Sequence, residues 1–508
     1  MTAAGYVSEI DYTHGFYGEL APAQLRLAML SRGIRHSVPD DPTYLELGFG
    51  QGLTLNILAA TNRGRFLGTD FNPAHAANAR EWSLMSGADL RVFNDAFDDL
   101  AAREDLPECD VIALHGIWSW VSDANRQVIV DIARRRLRPG GLLYISYNVT
   151  PGWSAAMPLR HLMVEYARAE ARGELTQKID RSLEFVQKLV DGGAAYFANN
   201  PAVAERLAQL HRQDRHYLAH EFFNEDWHPM PFSATSGHLA GAELSFAASA
   251  GLIDHLHALN FTPEAQALID GLSDDRMRET TRDYFLNRQF RRDIFVKGAR
   301  MLTKAERDAA IRDTAFLLSR HAAHCSDAAP GALSQAHILP DIYGPLIALL
   351  DAASGPLRVS EMHADARLAR FSLAQIWEAL LILVNGGCVA PAVPGGIDPA
   401  VRATAHRLNR AICRRAAISG DVGYLAAPAI GSAIGLNRIS QMFLEAHLSG
   451  LDPIAHGWAC LQAQDESLLL DGALLEGEDA NLAQLRHYHA RFEEEELPLL
   501  IRLGAAPD

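Results

Sequence analysis

Short apolar runs alternate with helical patterns along the chain up to Asn148. In the helical segments the apolar residues recur every three or four positions, whereas the runs between them are continuous, as in buried strands. Repetition of strand, helix and strand predicts a doubly wound parallel sheet, the α/β class of fold. Ser122 is a suitable N-cap for one helix, which is predicted to end at Arg138. The five predicted strands end near Leu47, Asp70, Asp95, Leu114 and Asn148.

The rest of the chain is predicted to be mostly helical. Residues 154–230 form a predicted helical insertion in a first domain that spans residues 1–260, and "GAELSFAASAG" is a candidate for its last strands. Residues 261–325 are assigned to an arginine-rich helical connector. Residues 326–400 have the helix, helix, hairpin pattern of a winged helix, and a C-terminal α/β domain is expected over residues 401–508.

One stretch, "YLELGFGQGLTLNIL" at residues 44–58, places three glycines at alternate positions between a predicted strand and a predicted helix. Such a turn directs free N–H groups and a positive helix terminus toward a ligand, and glycine lets that ligand approach closely. A dinucleotide-binding fingerprint would need its third glycine at position 53, which is leucine. The spacing therefore points away from NAD and FAD.

Two acidic residues follow at the ends of the next predicted strands. Asp70 lies 22 positions after Gly48, where a carboxylate can accept hydrogen bonds from both ribose hydroxyls of a nucleoside. Asp95 is placed to receive an adenine amino group, with the backbone of Ala96 nearby. The alternatives are a purely structural acid at Asp70 and a helix-capping role for Asp95.

Six motifs occur in the same order as in a known family. The chain resembles class I S-adenosylmethionine (SAM) methyltransferases that carry a methyltransferase regulatory domain, a family similar to bacterial lysine methyltransferases of outer-membrane proteins. The likeness covers residues 6–300 and continues more weakly toward the C-terminus. The motifs are "ELGFGQG", "GTDFNP", "LHGIWSWV", "SYNVTPGW", "YLAHEFFNEDW" and "NRQFRRDIFVKG".

The resemblance implies a Rossmann-like methyltransferase sheet with SAM as its cofactor. The three glycines would lie beneath the methionine part of SAM, Glu46 near its amino group, Asp70 at the ribose and Asp95 near the adenine. Phe49 departs from the family pattern, since such turns often carry cysteine or alanine there, and it should tighten the turn without abolishing it. The predicted cofactor-binding residues are Glu46, Gly48, Gly50, Gly52, Asp70, Phe71, Asn72, Asp95, Ala96 and His115.

Methyl transfer requires a nucleophile held in line behind an activated methyl group, with water excluded. The resemblance implies that the loop from His115 to Trp120 and the segment "YNVTPGW" wall this site. Aromatic rings tolerate a cation while keeping the site dry, a histidine can take a proton, and an asparagine can orient an amine without adding charge. Each of these side chains has a structural role as its alternative. The catalytic candidates are His115, Asn148, Trp118 and Tyr147.

Composition and charge limit the kinds of molecule that the protein is expected to bind. The net charge of −16 disfavours nucleic acid and would attract a basic protein partner. The predicted recognition helix has no lysine or arginine between Phe371 and Ala400, so packing or dimerisation is the better interpretation of the winged-helix-like module. Five scattered cysteines and the lack of a long apolar run predict a cytoplasmic protein without membrane insertion. The histidines of "HEFFNEDWHP" and "HYH" lack metal-motif spacing, so no metal is expected.

The sequence leaves three functions open. The first is a SAM-dependent protein lysine N-methyltransferase that acts on a bacterial surface or secreted protein and forms a homodimer, as the resemblance implies. The second is a methyltransferase for a small sugar or lipid acceptor, and the third is a non-enzymatic SAM-binding regulator. A lid over SAM is conceivable because the N-terminal segment carries Tyr6, Tyr12 and Tyr17.

Overall fold

The chain is built around a seven-stranded sheet. A computed structural model describes residues 2–3, 6–7, 14–224, 226–325, 328–330, 332–333, 335–337, 340–470 and 472–507. Alternate strand residues enter two different apolar clusters, so both faces of the sheet are buried, as expected for a mostly parallel sheet. In spatial order the strands are Leu90–Phe93, Arg65–Thr69, Thr43–Leu47, Cys109–Leu114, Leu137–Asn148, Phe290–Lys297 and Leu244–Ser249.

The first five strands of this order are parallel, which confirms the predicted doubly wound α/β fold. Thr43–Leu47 is the middle one of the five parallel strands. The next two strands along the chain lie on one side of it, and the two after those lie on its other side. Ligands bind at such a switch point, outside the carboxyl ends of the strands. The glycine turn follows this strand directly and therefore lies where the topology places a ligand site.

The strand Phe290–Lys297 differs from the sequence prediction. It is antiparallel to both of its neighbours and lies within the sheet, so the sheet domain extends beyond residue 260 into the segment predicted to be a helical connector. The other added strand, Leu244–Ser249, falls within "GAELSFAASAG" as predicted. Charged residues in "FRRD" concealed the strand, because Arg291 and Asp293 are buried rather than solvated.

Arg291 is the centre of a buried ion-pair network. Its guanidinium donates to Asp293 at 2.8 Å, to Asp283 at 2.7 Å and to Glu279 at 2.7 Å. Tyr147 donates its hydroxyl hydrogen to the same carboxylate of Asp293 at 2.7 Å. Burial lowers the pKa of Arg291, but the surrounding carboxylates outweigh burial and hold it well above its ordinary value. The network joins the helix Asp275–Phe285 to the sheet.

Helices cover the sheet and fill the segments between its strands. Asp123–Arg136 begins after Ser122, whose hydroxyl accepts a hydrogen bond from the Asn125 amide at 3.2 Å, which confirms the predicted cap. It ends two residues earlier than predicted, because the next strand starts at Leu137. The other helices that pack around the sheet are Pro22–Ser31, Leu53–Thr61, Pro73–Ser86, Phe97–Ala102 and Phe232–Ala240.

The predicted insertion is helical and has its own apolar cluster, which includes Trp153, Phe222 and Trp227. Its helices are Met157–Ala169, Leu175–Asp191, Ala195–Asn199, Pro201–Leu210 and Arg215–Phe222.

Three short helices and one strand pair occupy the predicted connector around the last sheet strand. Arg300–Met301 pairs with Ile34–Arg35 near the N-terminus. The α-helices of the connector are Pro263–Asp270, Asp275–Phe285 and Lys304–Asp313, and the shorter helix His257–Asn260 precedes them.

Within the described residues of 326–398, the segment assigned to a winged helix contains three α-helices, the strand pair Ala328–Pro330 with Gln335–His337, and two strands of a small antiparallel sheet. The sheet order is Leu357–Arg358, Ala315–Leu318 and Val389–Pro391, so its central strand comes from before the predicted boundary at residue 326. The assignment to a winged helix stays a prediction. The helices are Pro340–Ala352, Val359–Ala364 and Leu373–Asn385.

The C-terminal domain is mainly helical and packs against helices of the sheet domain. Its first helix, Pro399–Arg415, contacts the helices Leu53–Thr61 and Pro73–Ser86. Two strand pairs, of which the longer is Tyr424–Ala427 with Ser432–Gly435, account for its β content. The remaining helices are Arg438–Ser449, Pro453–Ala463, Glu478–Arg491 and Leu497–Arg502, with a π-helical turn at Phe492–Glu496.

Over the described residues, helices fall short of the length and apolar character needed to cross a bilayer.

Candidate active site

The glycine turn has a backbone that only glycine adopts readily. Gly48, Gly50 and Gly52 have φ angles of 73°, 58° and 75°, all in the left-handed region. A Cβ on Gly48 would lie 2.5 Å from Ile117 Cδ1, and one on Gly52 would lie 2.5 Å from the Cβ of Ala79. Side chains at these positions would therefore clash with their neighbours or strain the turn.

The turn forms one wall of a cavity of about 300 Å³ at the carboxyl ends of the strands. The other walls come from the ends of the second, third and fourth strands along the chain and from the N-terminal segment. Every predicted cofactor residue except Asn72 lines this cavity. Those that do are Glu46, Gly48, Gly50, Gly52, Asp70, Phe71, Asp95, Ala96 and His115.

Glu46 is a buried acid in the wall of the cavity, and one of its carboxylate oxygens, Oε2, has no hydrogen-bond partner. Burial, together with the negative charge of Asp70, raises its pKa to about 8. A buried polar atom without a partner is costly, and a ligand ammonium group would satisfy it. The residue therefore fits the amino group of a methionine moiety.

Asp70 connects the second strand to the glycine turn. Its carboxylate accepts hydrogen bonds from the Gly50 amide and the Asn72 amide, each at 2.9 Å, and His75 Nδ1 lies 3.3 Å away. The side-chain oxygen of Asn72 accepts from the Ala74 amide and caps the helix Pro73–Ser86, which explains why Asn72 does not line the cavity. His75 also lines the cavity, although it is not among the residues predicted to bind the cofactor. It lies in the first turn of the helix Pro73–Ser86, directly after the predicted cofactor-binding residues Asp70, Phe71 and Asn72.

Asp95 is held by Arg103, whose guanidinium donates to both of its carboxylate oxygens. The Arg103 guanidinium in turn lies 4.4 Å from the centre of the Phe93 ring. Ala96 precedes the helix Phe97–Ala102 and lines the cavity beside it. An oriented carboxylate next to a helix N-terminus is suited to an adenine edge.

His115 lies between two tyrosines. Its ring stacks on Tyr17 with a centroid distance of 3.8 Å, and its Nδ1 is 2.9 Å from the Tyr144 hydroxyl. Burial is the main reason that its pKa falls to about 4, so the ring is neutral near pH 7. Of the N-terminal tyrosines proposed as a lid, Tyr17 lines the cavity, the side chain of Tyr6 is not described, and Tyr12 lies outside the described residues.

Three catalytic candidates do not reach the cavity. Trp118 is fully buried in the apolar core beneath the sheet edge. Tyr147 is equally buried and is engaged with Asp293. Asn148 is buried as well, and its backbone exchanges hydrogen bonds with the Ser119 hydroxyl. These residues therefore support the wall of the site, and we no longer expect them to touch the methyl group.

Trp120, the last residue of the loop that the resemblance assigns to the wall of the site, lines the cavity where Trp118 does not. The two tryptophans lie two residues apart in a short 3₁₀ turn, and such a turn points them in different directions. Sequence position alone did not distinguish the ring that faces the ligand from the ring that packs in the core.

One group of possible metal ligands lies far from this cavity. Ligand atoms of His321, His324 and Glu495 come within 4.8 Å of one another. Arg491 Nε donates to Glu495 at 2.8 Å, and its Nη2 lies 3.1 Å from His324 Nε2. The cationic side chain of Arg491 thus already contacts two of these three residues.

The fold and the cavity define the class of protein. A parallel sheet with an antiparallel strand near one edge carries a glycine turn, an unsatisfied buried acid and acids at successive strand ends. These are the features of a class I SAM-dependent methyltransferase.

Comparison with known proteins agrees with this class. Residues 45–141 match the family model of a methyltransferase domain, and residues 214–297 match that of a predicted methyltransferase regulatory domain. The uncharacterized protein sll1526 of Synechocystis sp. is 35% identical over 503 residues, which is 98% of this chain and 99% of that protein. The chain therefore belongs to the family of sll1526, a family of SAM-dependent methyltransferases with a regulatory domain.

Two solved structures share the fold over nearly the whole chain. PKMT2 from Rickettsia typhi is 16% identical, with a TM-score of 0.69 over 97% of this chain and 99% of that one. The structure of PKMT2 in complex with AdoHcy gives 17% identity and a TM-score of 0.70 over the same shares. At this identity the likeness is one of fold.

Glu46 gives a testable consequence for cofactor binding. Near pH 6.5 the ligand amino group is an ammonium, and its charge should lower the pKa of Glu46 from about 8 and expel the proton. We expect SAM or S-adenosylhomocysteine to release close to one proton on binding at this pH, at which the ligand amine is already protonated and only Glu46 has a proton to lose. Calorimetry in buffers of different ionisation enthalpy measures this release. Glu46→Gln should abolish it, and a wild-type protein that binds without proton release would contradict the assignment.

Proposed function

We propose that this methyltransferase is a protein lysine N-methyltransferase that acts on a bacterial surface protein. The single observation that carries the proposal is an acceptor wall of three uncharged rings, formed by Tyr17, His115 and Trp120, all of which line the cavity. Phe290 adds an edge-on contact to His115 with a centroid distance of 6.1 Å. The wall is where the resemblance places methyl transfer.

The acceptor wall suits a lysine for an electrostatic reason. The side-chain amine attacks only in its neutral form, and its ordinary pKa is about 10.4. Desolvation between aromatic rings lowers that pKa, whereas a carboxylate in the wall would hold the proton on the amine. The SAM methyl group is activated by its sulfonium centre, so the chain mainly has to position the neutral amine and exclude water.

Two further observations support a protein acceptor. PKMT2 from Rickettsia typhi shares the fold of the domains beyond the sheet as well as of the sheet itself. Such domains provide surface that a small acceptor would not need. The net charge of −16 favours encounter with a lysine-rich partner.

Three other properties stay predictions: the homodimer, the role of the winged-helix-like module in forming it, and the cytoplasmic location. Sedimentation of the full-length chain tests whether the homodimer forms.

Transfer of labelled methyl tests the proposal directly. The full-length enzyme is incubated with methyl-labelled SAM and a lysate of the source bacterium, and the products are separated into protein and small molecules. We expect label in a protein band and a methylated lysine in its mass spectrum. Because the enzyme has four lysines, Lys178, Lys188, Lys297 and Lys304, self-methylation is easily recognised.

A lysate whose protein amines have been acylated beforehand provides the matched control and should accept no label. Label that survives acylation would point to another protein residue. Label confined to small molecules would contradict the proposal and favour a sugar or lipid acceptor.

The pH dependence of transfer follows from the neutral state of His115. A base with a pKa of about 4 is too weak to take a proton from a lysine ammonium efficiently. We therefore expect kcat/KM for the protein acceptor, at saturating SAM, to rise about tenfold per pH unit from pH 6.5 to 8.5. His115→Gln should lower the rate and keep the slope. A flat profile in the wild type that becomes steep in the variant would instead show His115 to be a general base.

A further inference from the structure

The N-terminal strap, defined as residues 14–20, forms part of the wall of the cofactor cavity. Its Gly15 and Tyr17 line the cavity, and the Tyr17 ring covers His115. Apart from the 3₁₀ turn Gly18–Leu20, the strap has no regular secondary structure to hold it in place. Its position must therefore come from contacts with other parts of the chain.

One set of contacts joins the strap to the sheet domain. The Tyr17 amide donates to Thr54 Oγ1 at 3.1 Å, and this hydroxyl lies 3.3 Å from the Gly15 carbonyl oxygen, to which it donates. Thr54 belongs to the first turn of the helix that follows the glycine turn. At the far end of the strap, Glu19 pairs with Arg292 at 3.1 Å. These contacts fix the middle and the end of the strap.

A second set of contacts comes from the C-terminal domain, more than 400 residues later in the chain. His14 Nδ1 lies 3.2 Å from Asp421 Oδ2, with the histidine side chain largely buried. The Phe16 ring packs on Tyr424 with a centroid distance of 5.4 Å. Asp421 is itself held by Arg415 through two hydrogen bonds of 2.9 and 2.6 Å. The start of the strap is thus anchored on a rigid part of another domain.

His14 also connects to the glycine turn. The Asn78 side-chain amide lies 3.4 Å from His14 Nε2 and donates to the Gln51 carbonyl oxygen at 2.8 Å. Gln51 stands between Gly50 and Gly52 and lines the cavity. His14 therefore links Asp421 of the C-terminal domain to the rest of the strap and, through Asn78, to the glycine turn.

We propose that Asp421 and Tyr424 are positioning residues that set the affinity for SAM by holding the strap over the cavity. Each residue of a free segment loses backbone freedom when it is ordered, and a segment that is already anchored has less to lose on binding. Without the anchor, part of the binding free energy would be used to order the strap. By linkage, cofactor binding should in turn strengthen the docking of the strap on the C-terminal domain.

Calorimetric titration of the full-length chain with S-adenosylhomocysteine tests this coupling without any acceptor. Asp421→Asn and Tyr424→Ala are expected to weaken binding about fivefold to tenfold each, within the usual range for coupled sites. Tyr424→Phe keeps the ring and should bind as the wild type does. In a His14→Ala background, Asp421→Asn should have almost no further effect, because its partner is already absent.

Arg407→Gln is the matched control. Arg407 lies in the same domain and donates to the Ser86 carbonyl oxygen at 2.7 Å, so its loss disturbs the domain contact but not the strap. It should leave affinity unchanged. Equal weakening by Arg407→Gln, or wild-type affinity in both Asp421→Asn and Tyr424→Ala, would overturn the proposal.

Hydrogen exchange of the strap gives an independent readout. S-adenosylhomocysteine should slow exchange of the strap amides in the wild type and in Tyr424→Phe, and slow it less in Tyr424→Ala at equal saturation. Identical protection in the two variants would contradict the anchoring role. Because no acceptor is present in either experiment, the outcome is independent of whether lysine is the substrate.

Discussion

Replacing Asp70 with alanine is expected to weaken SAM binding at least about 100-fold, corresponding to roughly 3 kcal/mol for two hydrogen bonds to a charged group. Asp70 lines the cavity and its carboxylate accepts the amides of Gly50 and Asn72, so its loss is expected to remove the proposed ribose acceptor and to loosen the turn. Asp70→Asn keeps the size and one carbonyl oxygen and should have an intermediate effect. Calorimetry with S-adenosylhomocysteine measures both.

The control for this experiment is Asp99→Ala. Asp99 is an exposed acid in the first turn of Phe97–Ala102 and does not line the cavity. The substitution Asp99→Ala should change the affinity for S-adenosylhomocysteine less than about twofold, since the charge of an exposed carboxylate outside the cavity is screened by salt. If Asp70→Ala bound S-adenosylhomocysteine as tightly as this control, the ribose assignment would be wrong.

Replacing Arg291 with methionine is expected to destabilise the folded chain by about 3–5 kcal/mol. The guanidinium satisfies three carboxylates at once, and two of them, Asp293 and Asp283, are almost completely buried. Removing the cation leaves the buried Asp293 without its ion-pair partner and leaves Asp283 with Arg288 at 3.2 Å. It also removes the guanidinium that packs 4.4 Å from the centre of the Phe232 ring. Urea denaturation followed by tryptophan fluorescence, together with the soluble yield, measures the loss.

Arg292→Met is the matched control on the same strand. Arg292 points to the opposite side, is about half exposed and pairs only with Glu19 among the ion pairs of the described residues. Loss of an exposed pair typically changes stability by about 1 kcal/mol or less. Equal destabilisation by the two substitutions would show that the buried network is not what holds the strand in the sheet.

The sequence by itself determined the sheet domain and the cofactor class, because these depend on local patterns. Strand ends, a glycine turn and the acids that follow them lie close together in the chain, and the parallel topology brings carboxyl ends of strands to one edge. Gly48 to Gly52 and Asp70 could therefore be placed from spacing and resemblance. The structure puts them around one cavity.

Only the tertiary structure decided features that depend on distant partners. The strand Phe290–Lys297 lies in a segment that was predicted to be a helical connector, and its buried Arg291 pairs with Glu279 and Asp283 of another element. Trp118 and Trp120 are equivalent in sequence, yet one packs in the core and the other faces the cavity. The contact of Asp421 with His14 of the strap joins two segments that lie more than 400 residues apart in the chain. Local patterns report periodicity and spacing, whereas burial and pairing depend on which surfaces meet after folding.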